Sequence, residues 1–265
     1  MPLFDTHAHY YDEKFGSPEE QETLLCDVLK EVPRIINCGI TPSTSEICLG
    51  WAKKHAGLFA ACGLHPENIT GSRAENTKML DQISGMLDDP ECVAVGEIGL
   101  DYYWTSDNRE EQKSVFSSQL DMALEKKLPV VIHDREAHGD CLDIVSGFRG
   151  RGLKGVFHSF SGSPETAREL IKLGFYISFS GVITFKNAVK PVEVLKILPE
   201  DRILAETDCP YLAPVPFRGK LNDSRLMRHS VAKIAEIRGT GFDEMVRITE
   251  RNAVSLFEKC TVLNP

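Results

Sequence analysis

The sequence predicts a (β/α)8 barrel, the TIM-barrel architecture, as a single domain over residues 1–265. Three observations carry this expectation. Short apolar runs alternate with longer amphipathic segments from end to end. The length of 265 residues suits one α/β barrel, which typically takes about 200–250. Histidines and carboxylates recur where the predicted strands end, and barrels build their sites at the C-terminal ends of their strands.

The strand candidates are runs rich in β-branched and aromatic residues, several with Gly or Pro nearby. They are Leu3–His9, Arg34–Ile40, Leu58–His65, Val93–Gly99, Pro129–His133, Gly155–Phe160, Phe175–Gly181 and Arg202–Asp208. Helices are expected between them. The segment from Pro18 opens with proline and acidic residues, as a helix N-terminus should. The segment from Asn108 to Lys127 is long and places its apolar residues at helical spacing. Ser163–Gly174 begins with a capping serine and a proline and stops at glycine. Helices over about Ser224–Arg238 and Asp243–Lys259 complete the outer layer, and Ala213–Asn222, rich in Pro, Gly and cations, reads as an active-site loop. No linker, internal repeat or low-complexity tract interrupts the pattern.

Composition narrows the function. Hydrophobic residues make up 42% of the chain, enough for a sizeable core. The net charge is −9 and the pI about 5.4, far from the basic balance, above about 9, of many nucleic-acid-binding domains. A broad footprint on duplex DNA is therefore not expected; a nuclease whose metals and cations sit in one cleft remains compatible. The N-terminal residues lack a basic stretch followed by an apolar run, so no secretory signal is predicted. No segment approaches about 18 consecutive apolar residues, so no membrane span is predicted either. The eight cysteines, Cys26, Cys38, Cys48, Cys62, Cys92, Cys141, Cys209 and Cys260, are scattered without a CxxC pair. They read as reduced, mostly buried thiols of a cytoplasmic protein.

Five of the eight histidines fall at or just beyond a predicted strand end: His7, His9, His65, His133 and His158. The fourth strand carries Glu97, and the eighth ends in Glu206-Thr207-Asp208. Residues i and i+2 of a strand share a face, so His7 and His9 can converge on one ion inside the barrel mouth, with Asp5 one layer deeper. One such histidine alone is usually a hydrogen-bonded rim residue, and a lone HxH is weak. Four imidazoles and two carboxylates at one barrel end can hold two ions with a carboxylate bridging, and ions about 3.5–4 Å apart activate water and clamp a scissile ester. His55, His138 and His229 are placed in helical segments as surface or packing residues. The Gly150–Gly155 stretch matches G-x-G-x-x-G, but a helix precedes it and a strand follows, the reverse of a dinucleotide fingerprint. No organic cofactor is expected.

The motifs resemble the TatD family of metal-dependent hydrolases, the TatD deoxyribonucleases. The matching stretches include Asp5–Tyr10, Gly63–Asn68, Val95–Trp104, Leu128–Ala137, His158–Ser163, Phe175–Ala188, Leu204–Pro214, Arg218–Asn222 and Asn252–Phe257, and they span nearly the whole chain in family order. The resemblance implies one metal held by His7, His9 and Asp208, and a second held by His133 and His158, with Glu97 bridging. Two departures stand out. Tyr10-Tyr11 precedes Asp12 where the family usually has Leu and then Asp, and Asp223-Ser224 replaces a Glu-Pro-like pair.

The function so implied is metal-dependent hydrolysis of phosphodiester bonds in DNA, from a single-stranded 3′ end. Asp208 would take a proton from the attacking water, Glu97 would bridge the ions, and His65 would contact the phosphate or protonate the leaving group. Arg135, Lys186, Arg218, Lys220 and Asn222 are the candidate substrate contacts. An alternative is a hydrolase of the same architecture acting on an amide or ester such as an aminoacyl group, because a Lewis acid polarises carbonyl and phosphoryl oxygens alike. Imidazole-rich sites suit Zn, Ni, Co, Mn or Fe more than Mg, whereas the resemblance associates nuclease activity with Mg.

Overall fold

A computed structural model describes residues 3–104 and 107–261. Eight parallel strands run in sequence order around one sheet. They are β1 (Phe4–Ala8), β2 (Arg34–Cys38), β3 (Leu58–Cys62), β4 (Cys92–Asp101), β5 (Val130–Arg135), β6 (Gly155–Phe157), β7 (Tyr176–Phe179) and β8 (Ile203–Ala205). The helices are α1 (Pro18–Leu29), α2 (Pro42–Ala52), α3 (Arg73–Met86), α4 (Arg109–Lys126), α5 (His138–Ser146), α6 (Pro164–Lys172), α7 (Val189–Ile197), α8 (Met227–Arg238) and α9 (Phe242–Leu256). This is the expected (β/α)8 barrel. No helix among the described residues is long and apolar enough to cross a membrane.

Local chemistry accounts for the helix starts. Ser17, Thr41 and Ser163 each accept a backbone N–H of the first turn, and proline follows each of them. This satisfies an otherwise orphaned donor and presets the first helical φ. Gly239 stops α8 in the left-handed conformation. Gly150 and Gly152, from the misleading glycine motif, also have positive φ, in the turn between α5 and β6. His55 differs from expectation: it lies in the turn after α2, where its Nε2 meets Glu22 at 2.7 Å.

Alternation along the strands makes two layers. Ile36, Phe59, Val131, Val156 and Leu204 form one buried cluster inside the barrel, plugged by Ala253, Leu256 and Phe257 at the end of α9. Ile35, Leu58, Ile98, Val130, Ile132, Ile177 and Ile203 point outward and pack with the helices. Two residues on from Val131, Val156 and Leu204 along the same inward face come His133, His158 and Glu206. The apolar interior thus forms the floor of a polar layer at the C-terminal mouth.

β1 and β8 close the barrel. The His9 N–H donates to Cys209 O at 2.8 Å and the Asp208 N–H to His7 O at 2.9 Å. Buried Asp5 accepts from the Thr207 N–H and from its hydroxyl. Asp5 lies on the face predicted for it, and its work is to tie the strand of His7 to that of Asp208.

Between β4 and β5, Gly99 has φ +141°, and a Cβ there would lie 2.0 Å from His133 O. Glycine is required on both counts. Gly139, near the start of α5, has nothing within 4 Å of a built Cβ. We predict that Gly99→Ala lowers unfolding stability by roughly 2–5 kcal/mol, combining backbone strain and overpacking. Gly139→Ala should be neutral or stabilising, by up to about 1 kcal/mol. Urea unfolding of the two variants checks this; equal midpoints would show that the β4–β5 contact yields freely.

Candidate metal centre

Glu97 lies inside β4, buried, at the centre of the polar layer. Its two oxygens face different partners. Oε2 is 3.3 Å from His7 Nε2 and 3.4 Å from His9 Nε2. Oε1 is 2.8 Å from His133 Nδ1, 2.9 Å from His158 Nε2 and 3.4 Å from His65 Nε2. Asp208 Oδ1 completes the first group, 3.6 Å from His7 Nε2 and 3.5 Å from His9 Nε2. His7, His9 and Asp208 form one cluster able to hold an ion; His7, Glu97 and His158 form another, and His65, Glu97 and His133 a third.

The outer nitrogens of these rings are already committed. The His9 Nδ1–H donates to Cys38 O at 2.8 Å. The His133 Nε2–H donates to Asp101 Oδ2 at 3.0 Å, and the His158 Nδ1–H to Glu206 Oε1 at 3.3 Å. Carbonyl and carboxylate oxygens only accept, so the proton of each neutral ring sits on its outer nitrogen. The inner nitrogens then present lone pairs to Glu97 oxygens, and His9 Nε2 meets His7 Nε2 at 2.9 Å. In the neutral rings of His133 and His158 an acceptor faces the Glu97 acceptor, an arrangement that a cation, or a proton in its place, relieves. A carboxylate or carbonyl behind each ring is also the usual support of a metal-ligating histidine. The donor set therefore fits divalent ions.

Protonation in the metal-free protein tells the same story. Burial pushes the Glu97 carboxyl up, but His158, His65 and His7 outweigh it and hold the group well below the usual carboxylate range. Burial lowers His133, but its bonds to Asp101 and Glu97 prevail and raise it to about 9. His158 is held well above its ordinary value against burial by Glu97 and Glu206. Protons occupy the places that cations would take.

His65 differs in kind. Its Nδ1 accepts the Glu67 N–H at 3.2 Å, so in the neutral ring the proton lies on the inward Nε2. Burial holds its pKa below the ordinary value. Although it sits within ligating reach, it presents a donor where its neighbours present lone pairs.

The elements around the site explain its placement. Gln119 of α4 pairs with both backbone groups of Leu64, beside His65. Gln112, seven positions earlier on the same helix face, pairs with both backbone groups of Asp101. Asp208 has φ +59°, a left-handed conformation rare outside glycine and costly by roughly 1–3 kcal/mol. The Tyr10 and Ser224 hydroxyls, more than two hundred positions apart in the chain, are 2.7 Å apart.

The cleft above Glu97 has a volume of about 440 Å³, and its lining includes His9, His65, His133, His158, Asp208, Trp104, Arg135 and Tyr211. Of the expected substrate contacts, Arg135 lines this cleft. Its guanidinium lies 4.3 Å over the Tyr103 ring and 5.4 Å over that of Trp104. Arg218 and Lys220 line an adjoining groove instead. Lys186 is exposed and lines neither. The expectation for Asn222 needs correction. It is fully buried, and its Nδ2 donates to Thr207 O and Tyr211 O, so it braces the loop after β8 from within. Asp101, four residues beyond Glu97 on the same strand face, joins the site without being expected there, as do Glu206, Cys38 and Gln119.

We predict that the reconstituted protein holds up to two divalent ions per chain by elemental analysis, and that Glu97→Ala loses metal and activity together. Because His133 and His158 carry protons in the metal-free state, loading near neutral pH should release protons, and affinity should fall as the pH falls below about 9. Titration in weak buffer measures this; metal uptake without proton release would contradict the protonation described.

Comparison with known proteins agrees with this geometry. Residues 4–258 match the family model described as TatD related DNase. An uncharacterized metal-dependent hydrolase of Bacillus subtilis, YabD, is 39% identical over 255 residues, covering 96% of this chain and 98% of the relative. The crystal structure of YJJV, a TatD homolog from Escherichia coli, superposes with a TM-score of 0.87 at 30% identity, covering 97% of this chain and 98% of that one. A TatD family hydrolase from Entamoeba histolytica shares the fold with a TM-score of 0.80 at 19% identity, covering 97% and 98%. The chain belongs to the TatD family of metal-dependent hydrolases.

Proposed function

We propose that this hydrolase is a deoxyribonuclease that removes nucleotides from the 3′ end of single-stranded DNA. His7, His9 and Asp208 would hold one divalent ion, His133 and His158 the second, and Glu97 would bridge them. The observation that carries the substrate class is the cleft's rim. Arg135 packs against Tyr103 and Trp104, both more than half exposed. Aromatic faces with cations beside them accept unpaired bases and their phosphates without sequence preference. The family description, TatD related DNase, points the same way. A cleft of about 440 Å³ is at the small end for ligand sites, roughly 300–1,000 Å³, and suits a strand terminus better than a duplex. Eight free cysteines, seven of them buried, support a reducing, cytoplasmic setting.

Bound divalent ions would polarise a phosphoryl oxygen and make water more acidic. The chain's own groups do the rest. Asp208 has its carboxyl held below the usual range, against burial, by His9, His7 and His158, so it is ionised and able to accept a proton from the attacking water. The His65 Nε2–H points at the Glu97 side of the cleft and is placed to donate to a phosphate oxygen or to the leaving oxygen. Arg135 would hold the terminal phosphate or base against Trp104. Hydrolysis of an amide or ester, such as an aminoacyl group, is the competing reading; the net charge of −9 favours a substrate other than a polyanion.

With Mg or Mn, the protein should shorten single-stranded DNA from its 3′ end, more slowly as salt rises. His65→Ala should keep its full metal content and lose about 10²–10³-fold in rate, the typical loss when a positioned hydrogen-bond donor to developing charge is removed. Rate, metal content and melting temperature measured together decide this. A variant with normal turnover would remove His65 from the mechanism, and DNA left intact while an aminoacyl ester is hydrolysed would establish the competing reading.

A further inference from the structure

Beside the metal cleft lies a second groove of about 480 Å³, whose lining includes Lys14, Phe185, Tyr211, Leu212, Arg218 and Lys220. Tyr211 and Leu212 also line the metal cleft, so the two are continuous across that wall. Three cations border the groove, and none of them takes part in an ion pair among the described residues, in a protein with nine more acidic than basic side chains. Two are set on aromatic faces. Lys14 Nζ lies 3.7 Å above the Tyr211 ring, and the Arg218 guanidinium 4.5 Å above that of Phe185.

The groove is built to hold its shape. The Tyr211 hydroxyl donates to Asp12 Oδ2 at 2.6 Å, which fixes the ring on the wall between the two spaces. Asn222 holds the Tyr211 carbonyl from below. The Val215 N–H donates to Thr184 Oγ1 at 2.8 Å, and a Cβ at Gly181 would strike Leu212 O. The loop from 210 to 222 is thereby fastened onto the segment after β7. Strand order places this groove, beside the ends of β8 and β1, across the barrel mouth from Trp104 and Arg135, which follow β4 and end β5.

We propose that this groove is the track for the body of the DNA strand. The 3′-terminal nucleotide sits in the metal cleft, the next base stacks at Tyr211, and the phosphates on the 5′ side run past Lys14, Arg218 and Lys220. The inference rests on the nuclease reading above and adds a polarity and a minimum length to it. It also gives Tyr211, Lys14 and Phe185 a role that the metal chemistry leaves unassigned. Stacking on a fixed aromatic ring and unpaired cations along the backbone are what sequence-tolerant single-strand binding requires.

The test uses metal-loaded protein and the oligothymidylates dT2 and dT8, each with a phosphorothioate at its 3′-terminal linkage to slow hydrolysis. Fluorescence anisotropy over a salt series compares the native protein with the triple variant Lys14→Ala/Arg218→Ala/Lys220→Ala. The native protein should bind dT8 at least about tenfold more tightly than dT2, because dT2 reaches Tyr211 but lacks the 5′-side phosphates that meet the three cations. The triple variant should lose that preference, and its slope of log affinity against log salt should shrink by about 2, near 0.7 per lost phosphate contact. Tyr211→Ala should weaken dT8 about tenfold, and Tyr211→Phe, which keeps the ring but loses the bond to Asp12, should weaken it less. Equal length preference and salt slope in the native and triple-variant proteins would overturn the track, as would native protein that binds dT8 no better than dT2. Ordinary 3′ hydrolysis without groove-dependent binding would refute the track alone. Groove-dependent binding without hydrolysis of unmodified DNA would refute the nuclease reading alone.

Discussion

The structure turns on one carboxylate. Glu97 reaches the barrel mouth from β4 and turns one oxygen toward His7 and His9 and the other toward His133, His158 and His65. A carboxylate buried this deeply is stable only beside positive charge. The protein surrounds it with imidazoles whose outer nitrogens are already engaged by Cys38 O, Asp101 and Glu206. The inner nitrogens are therefore aimed before any ion arrives. Much of the fold serves to keep them so. Asp5 and Thr207 join the first and last strands, Gly99 lets β5 approach β4, and two glutamines of α4 pin the backbone beside His65 and at Asp101.

This organisation separates two kinds of histidine. In His9, His133 and His158 a carbonyl or carboxylate fixes the proton on the outer nitrogen, so the inner one can coordinate. In His65 a backbone N–H occupies Nδ1, so the inner nitrogen keeps its proton. Distance alone does not draw this line, because His65 also lies within ligating range of Glu97 and His133. The partner on the far side of the ring decides which chemistry each imidazole can perform.

Much of this was legible in the sequence. The strands were readable because both faces of a buried parallel strand are apolar, which gives short continuous runs such as that around Val130–Ile132. The six expected ligand side chains come together because each lies on an inward-pointing position in the C-terminal half of its strand or just beyond it. What escaped was set by contacts between residues far apart in the chain. Asn222 sits in a cationic loop and looked like a substrate contact, yet its amide is used internally by Thr207 and Tyr211 carbonyls. Asp101 was hidden by its neighbour: its spacing from Glu97 marks it as inward-facing, but only the approach of β5 gives it His133 as a partner. Ser224 and Tyr10, more than two hundred positions apart, form a single hydrogen-bonded unit.

On the proposed reading Glu97 would be shared by two ions, one beside each of its oxygens. Anomalous diffraction from crystals loaded with Mn tests this directly. It should show two peaks about 3.5–4 Å apart, the spacing of paired catalytic ions, one beside His7, His9 and Asp208 and the other beside His133 and His158. A single peak at full loading, or peaks that leave one Glu97 oxygen without a metal, would contradict it.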